Sequence, residues 1–176
     1  MSVSVITVGI LTISDRSFRG ERDDRGSPVL KSVARRMGWR ISAEEVVPDE
    51  IERIQMTLLN WTDDRKIDLV LTTGGTGIAP RDVTPEATNA LLEKELPGLM
   101  EHIRFQTTWK MPLAVLSRAV AGTRKKSLII NLPGNPDGAK DCLESILNVI
   151  PHALAVLCGQ DHSHKEGKGE TLHVDA

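Results

Sequence analysis

Tyrosine is absent from the 176 residues, and two phenylalanines and three tryptophans hold aromatics to 3%. The core must therefore be aliphatic, built from Val, Ile, Leu, Ala and Met. Cysteine is almost missing as well. Cys142 and Cys158 are too few and too far apart for a disulfide framework or a paired-cysteine site, and their apolar helical settings predict two buried free thiols. No sign of charge dominates. With 22 basic and 24 acidic side chains the net charge is -2, which excludes the broad basic field of a general nucleic-acid binder but not a local basic pocket. Long apolar runs are lacking too. The most apolar stretch, Ile146 to Leu157, is broken by Asn148, Pro151 and His152 and is too short to span a bilayer. The opening MSVSVITVGILTIS has no basic n-region and reads as a strand rather than a signal peptide. A soluble, cytoplasmic protein without a membrane partner is expected.

What is present is an ordinary globular balance, 40% hydrophobic and 26% charged, at a length suited to one domain. That domain is expected over residues 1–160, with 161–176 as a polar, flexible tail. Strand-like and helix-like patterns alternate without linker or repeat. Val3 to Ile13, Trp39 to Val47 and Asp68 to Thr73 read as strands, and Ala119 to Asn131 as a hairpin around Arg124-Lys125-Lys126. Ser27-Pro28 and Thr84-Pro85 each read as an N-cap followed by a first-turn proline, and Asn135-Pro136-Asp137 opens the last long helix. Asp49 to Asp63 and Pro97 to Gln106 complete the helices. The order implies an α/β, three-layer αβα sandwich around a mostly parallel sheet, with ligands bound at the carboxyl ends of the strands.

Chemistry is therefore sought just after each strand. Thr72-Thr73-Gly74-Gly75-Thr76-Gly77 offers a backbone that approaches a ligand closely and turns several N–H groups toward an oxyanion. It is not a P-loop, because no Gly-Lys-Ser/Thr follows. Nor is it a dinucleotide fingerprint, because Pro80 stands where the third glycine belongs. A tight strand-to-helix turn without ligand is the alternative. Asp82 beside such a cradle suits Mg²⁺, or else an Asx-turn to the backbone of Thr84. Asp49 with Glu52 has capping-box spacing, a role compatible with facing the ligand crevice. Ser14-Asp15 leads into an arginine- and acid-rich loop. Leu132-Pro133-Gly134-Asn135-Pro136 exposes a helix N-terminus that favours an anion. His102 and His152 read as packing or surface residues, and Asp161-His162-Ser163-His164 as a solvated tail.

Taken in order, the segments Ser14-Asp15, Thr72 to Gly77, Arg81-Asp82-Val83-Thr84-Pro85-Glu86-Ala87-Thr88, Leu116-Ser117-Arg118-Ala119-Val120-Ala121-Gly122 and Leu132 to Pro136 resemble the MogA/MoaB family of molybdenum cofactor biosynthesis proteins. Gephyrin carries the same domain. The resemblance implies that family's three-layer fold, usually as a homotrimer and in some relatives a hexamer. It implies transfer of AMP from ATP to the terminal phosphate of molybdopterin, with Mg²⁺, followed by use of the product in molybdate insertion. The metal-insertion protein is thus a docking partner to expect. Asp49 and Asp82 would be the catalytic carboxylates and Mg²⁺ ligands. Ser14, Asp15, Thr73, Gly74, Gly75, Thr76, Gly77, Ser117, Pro133, Gly134, Asn135 and Pro136 would contact the substrates. One departure is that the family order Asp-x-Ser-Gly reads here Asp24-Arg25-Gly26-Ser27, which leaves Ser27 without an assigned contact. A non-catalytic molybdopterin-binding or scaffold protein of the same fold is the alternative reading. A dinucleotide-binding oxidoreductase is disfavoured by the missing third glycine.

Overall fold

The alternation of strands and one-sided helices closes into a six-stranded sheet in the computed structural model, which describes residues 5–159. The strands are β1 (Thr7–Ile13), β2 (Arg40–Val47), β3 (Leu69–Thr73), β4 (Lys94–Glu95), β5 (Ala121–Arg124) and β6 (Ser127–Leu132), in the order β2-β1-β3-β6-β5-β4. The four strands β2, β1, β3 and β6 run parallel, while β5 and β4 complete an antiparallel edge. The helices are α1 (Asp15–Phe18), α2 (Gly26–Arg36), α3 (Ile51–Leu59), α4 (Thr84–Asn89), α5 (Pro97–Thr108), α6 (Pro136–Ile146) and α7 (Ile150–Leu157).

Side-chain alternation along the strands sorts the core onto two faces. Val8, Ile10, Leu69, Leu71, Leu128 and Ile130 pack with α2, α5, α6 and α7. Leu11, Ile13, Val70 and Ile129 pack with α3, α4 and Trp61 on the other face. The expected three-layer, mostly parallel architecture is therefore present. No helix among the described residues is long and apolar enough to cross a membrane. The 161–176 segment and its three histidines lie outside the described residues.

Several local expectations shift. The helix expected to start with Ser27 as cap and Pro28 as its first residue begins two residues earlier, at Gly26, where Asp24 accepts from the Gly26 and Ser27 N–H groups at 3.0 and 3.1 Å. Ser27 is buried, and its hydroxyl donates instead to Glu44 at 3.0 Å. Thr84 lies inside α4 rather than capping it. The loop after β1 contains the short α1, capped by Ser14. Cys142 is buried as expected, but Cys158 is exposed, because it follows the last turn of α7 beyond the buried Leu154. Burial pushes the Cys142 thiol up to about 11, which leaves it protonated and unreactive at neutral pH.

The helix predicted to run to Asp63 ends as α3 at Leu59 and continues as a π turn, Asn60–Asp64. Asp63 there accepts from Arg124 Nε at 2.8 Å and Nη2 at 2.6 Å, and both side chains are about one-fifth exposed. The hydrogen bonds from Arg124, helped by Thr62 and Lys125, hold the Asp63 carboxyl well below the usual carboxylate range. Asp63→Asn should lower stability by about 2 kcal/mol at neutral pH. The wild-type advantage is full above the unfolded carboxylate value of about 3.9 and shrinks as pH falls toward the lowered folded value. Urea unfolding of both proteins across this range would check it; equal midpoints at neutral pH would refute it.

Candidate active site

Loops from the carboxyl ends of β1, β2, β3 and β6 meet at one edge of the parallel sheet. Ser14 caps α1 by accepting from the Ser17 N–H at 3.2 Å, and its own N–H donates to the Val47 carbonyl at 2.9 Å. Next to it, two loops exchange hydrogen bonds. Asp15 N–H donates to Asp49 Oδ2 at 2.7 Å, and Asp49 N–H donates to Asp15 Oδ1 at 3.1 Å. The capping box expected of Asp49 does not form, since Glu50 is the cap residue of α3 and no side chain caps it. Asp49 is spent on the loop across the crevice instead. Arg81 closes the group with a fork onto Asp15 at 2.9 and 3.0 Å. That fork lowers the Asp15 carboxyl below its ordinary value. Asp49 shifts the opposite way, because burial disfavours its charge and the neighbouring Asp15 and Asp82 carboxylates add to the effect.

The glycine loop is held by its carbonyls. Gly74 and Gly75 sit at φ +105° and +62°, in the left-handed region that favours glycine. Thr84 Oγ1 donates to the Gly74 carbonyl at 2.8 Å, and Thr84 N–H to the Gly75 carbonyl at 3.1 Å. A Cβ on Gly75 would stand 2.9 Å from Asp49 Oδ1, and one on Gly77 would stand 2.8 Å from Asp82 Oδ2, so both carboxylates lie against the loop. The Asx-turn to Thr84, the alternative role for Asp82, does not form: Thr84 N–H donates to the Gly75 carbonyl, and Asp82 Oδ2 accepts from the Ala79 N–H at 2.8 Å. The N–H groups of Gly75, Thr76 and Gly77 meet no acceptor among the described residues. A row of such amides is an anion nest.

Two cavities flank this loop. A polar cleft of about 870 Å³ is lined by Ser14, Asp49, Thr73, Gly74, Gly75, Asp82, Gly134, Asn135 and Pro136. An apolar pocket of about 490 Å³ receives Thr76, Gly77, Ser117 and Pro133 together with Met100, Ile103 and Leu116, and it shares Gly75, Asp82, Gly134 and Asn135 with the cleft. Thr73 Oγ1 donates to the Pro133 carbonyl at 2.8 Å, tying the two walls, and Asn135 caps α6 through the Gly138 N–H at 3.1 Å. Of the residues expected to touch substrate, only Asp15 lines neither cavity. Its carboxylate accepts instead from the Asp49 N–H and Arg81.

Two residues that sequence reasoning passed over belong here. Asp24 lines the cleft and accepts from Thr12 Oγ1 at 2.8 Å besides capping α2. Burial raises its carboxyl, but the bonds from Ser27, Thr12 and Gly26 outweigh that and set it below its ordinary value. An acidic residue two positions before a helix was the available signal. Arg81 is the other, and its partner 66 residues away leaves no local trace.

The donor set also bears on the metal. No group of three or more His, Cys, Asp or Glu side chains among the described residues could cage an ion. Mg²⁺ does not require one, since it takes one or two carboxylates and completes its shell with water and substrate phosphates. Asp49 and Asp82 on either side of the glycine loop fit it, and the elevated Asp49 carboxyl is a charge that a cation would stabilise.

Comparison with known proteins points the same way as the geometry. The family described as a probable molybdopterin binding domain matches residues 9–152. The molybdopterin adenylyltransferase of Helicobacter pylori strain J99 is 40% identical over 159 residues, covering 89% of this chain and 90% of that protein. The molybdenum cofactor synthesis protein cinnamon of Drosophila melanogaster is 38% identical over 96% of this chain, which spans only 29% of that longer protein. Among solved structures, the molybdopterin biosynthesis enzyme MoaB of Thermus thermophilus superposes with a TM-score of 0.84 at 50% identity, covering 88% of this chain and 98% of that one.

Proposed function

This chain belongs to the molybdopterin-binding domain family, and from that premise we propose that it is a molybdopterin adenylyltransferase. It transfers AMP from ATP to the terminal phosphate of molybdopterin. A molybdopterin phosphate oxygen forms a bond to the α-phosphorus of ATP, the bond from that phosphorus to the α–β bridging oxygen breaks, and pyrophosphate leaves. The observation that carries this reading is the glycine loop: amides of Gly75, Thr76 and Gly77 without protein acceptors, set between a polar cleft and an apolar pocket with a carboxylate on each flank.

Both reactants are polyanions, so the site must neutralise charge and align a weak phosphate nucleophile; covalent help from the protein is not needed. The loop amides bind phosphate oxygens. Arg22 and Arg25 are the cations lining the polar cleft, and neither forms an ion pair among the described residues, which leaves both for phosphate. The apolar pocket takes the flat heterocycle of one reactant. Asp49 and Asp82 would hold Mg²⁺ together with substrate oxygens, and the ion when bound would neutralise phosphate charge. Ser14, Ser117 and Asn135 add polar contacts at the walls.

The finer expectations join this reading. The protein works in the cytoplasm as a homotrimer and hands its product to the metal-insertion protein. Support for self-association comes from an exposed apolar band at the end of α5 and the turn beyond it, where Phe105, Trp109, Leu113 and Val115 are 65, 82, 72 and 61% exposed.

The deciding experiment supplies purified protein with fresh molybdopterin, Mg²⁺ and α-labelled ATP. Labelled adenylyl-molybdopterin and an equivalent of pyrophosphate are expected. Tight molybdopterin binding without transfer would replace the enzyme by the scaffold reading, and neither binding nor transfer by a folded sample would overturn both.

A further inference from the structure

Four consecutive carbonyls of the glycine loop point into the protein. Thr84 holds those of Gly74 and Gly75, and Arg118 holds the next two: its N–H donates to the Thr76 carbonyl at 2.9 Å and its Nε to the Gly77 carbonyl at 2.6 Å. Arg118 Nη2 donates to the Asp82 carbonyl at 2.6 Å, at the far end of the same loop, and Nη1 pairs with Glu86 on α4. In a planar trans peptide the C=O and the following N–H point in opposite directions. Holding the carbonyls of residues 74–77 inward therefore turns the amides of residues 75–78 outward.

Apart from Arg118, the stretch from Thr76 to Asp82 is shaped among the described residues by the Ala79–Asp82 bonds and by the Arg81 fork onto Asp15. Arg118 reaches it from another part of the chain, immediately after the turn Pro112–Leu116 that walls the apolar pocket. A guanidinium fork can bridge two carbonyls and a carboxylate at fixed angles, and a lysine ammonium cannot reproduce that geometry.

Building on the transfer reading above, we propose that Arg118 is a positioning residue for adenylyl transfer: its guanidinium grips the Gly77 and Asp82 carbonyls and so aims the Ile78 amide and the Asp82 side chain at the substrates. Glu86 pairs with the remaining Nη1 and does not carry the effect. The fork geometry, rather than the positive charge, is what the site uses.

The test compares Arg118→Lys, Arg118→Ala and Glu86→Gln with the wild type, using AMP transfer and calorimetric binding of inorganic pyrophosphate. Arg118→Lys keeps the charge and should keep the fold by circular dichroism, yet lose about a hundredfold in kcat with a much smaller change in KM for ATP. Its pyrophosphate affinity should fall about tenfold. Arg118→Ala should behave alike and Glu86→Gln should stay close to wild type. Lysine restoring kcat would overturn the proposal in favour of a charge role, and Glu86→Gln falling as far as the arginine variants would overturn it in favour of the ion pair. Loss of the native fold in both arginine variants would overturn it too, since the grip would then hold the molecule rather than the loop. If the wild type binds pyrophosphate but transfers no AMP, the transfer reading fails, while the pyrophosphate comparison still decides whether Arg118 shapes the cradle.

Discussion

Replacing Asp82 by asparagine is expected to cut adenylyl transfer by about a thousandfold while the protein remains folded. The fold survives because the amide oxygen of asparagine can still accept from the Ala79 N–H, which Asp82 Oδ2 now does at 2.8 Å. What disappears is a negative charge against Gly77, where the proposed Mg²⁺ and phosphates meet. Asp49→Asn should lose activity to a similar degree, with a further signature in stability. Burial and the Asp15 and Asp82 charges raise the Asp49 carboxyl, so ionising it costs the folded state. For an acid raised on folding, stability is highest below the unfolded value and declines as pH rises through the folded one. Asp49→Asn should remove that decline and match or exceed wild-type stability at neutral pH, as expected of residues kept for function. Steady-state transfer and thermal unfolding at two pH values would measure both effects. Near-normal turnover of either variant would refute its assignment.

Gly74→Ala should be the most damaging single methyl in the molecule. The residue sits at φ +105°, which L side chains rarely adopt, and a Cβ there would collide with the Ile13 carbonyl oxygen at the end of β1. That oxygen is backbone at the end of a strand flanked by β2 and β3 and cannot swing aside. Strain and collision together should cost about 3–5 kcal/mol. The marginal stability of a domain leaves little margin for such a loss. Gly98→Ala is the control, since nothing lies within 4 Å of its would-be Cβ in the first turn of α5. It should be neutral or slightly stabilising. Urea midpoints for the two variants would separate the outcomes, and equal midpoints would refute the steric account.

The division between what could and could not be read from the chain follows the range of the interactions. Asn135 caps α6 as its neighbours Pro136 and Asp137 announce, because a cap is decided within three residues. Strand periodicity likewise placed β1, β2, β3 and the β5–β6 hairpin, since the alternation records which face is buried. Asp49 and Glu52 have the spacing of a cap, but Asp49 answers to Asp15, 34 residues away. Thr84 resembles a cap and instead ties down Gly74. The two-residue strand β4 has no pattern to show. The arginines followed the same rule: Arg81 and Arg118 both stand inside recognisable segments, yet their partners lie on other loops. Composition marked the crevice, but only the fold shows which charged groups face it and which brace it from behind.

The strand order has one more implication, for how the protein comes into being on the ribosome. β6 is the last strand made and yet sits inside the sheet, between β3 and β5. The N-terminal strands β2, β1 and β3 can associate early, but β3 keeps an unpaired edge until residues 127–132 arrive. That edge, Leu69–Thr73, is fully buried in the finished protein and leads directly into the glycine loop. During synthesis it is an adhesive apolar border, the kind that invites wrong pairing between neighbouring nascent chains. Arg118 also emerges only shortly before β6. The crevice is thus assembled in one late event, and the interval before it is when a growing chain has most need of a chaperone.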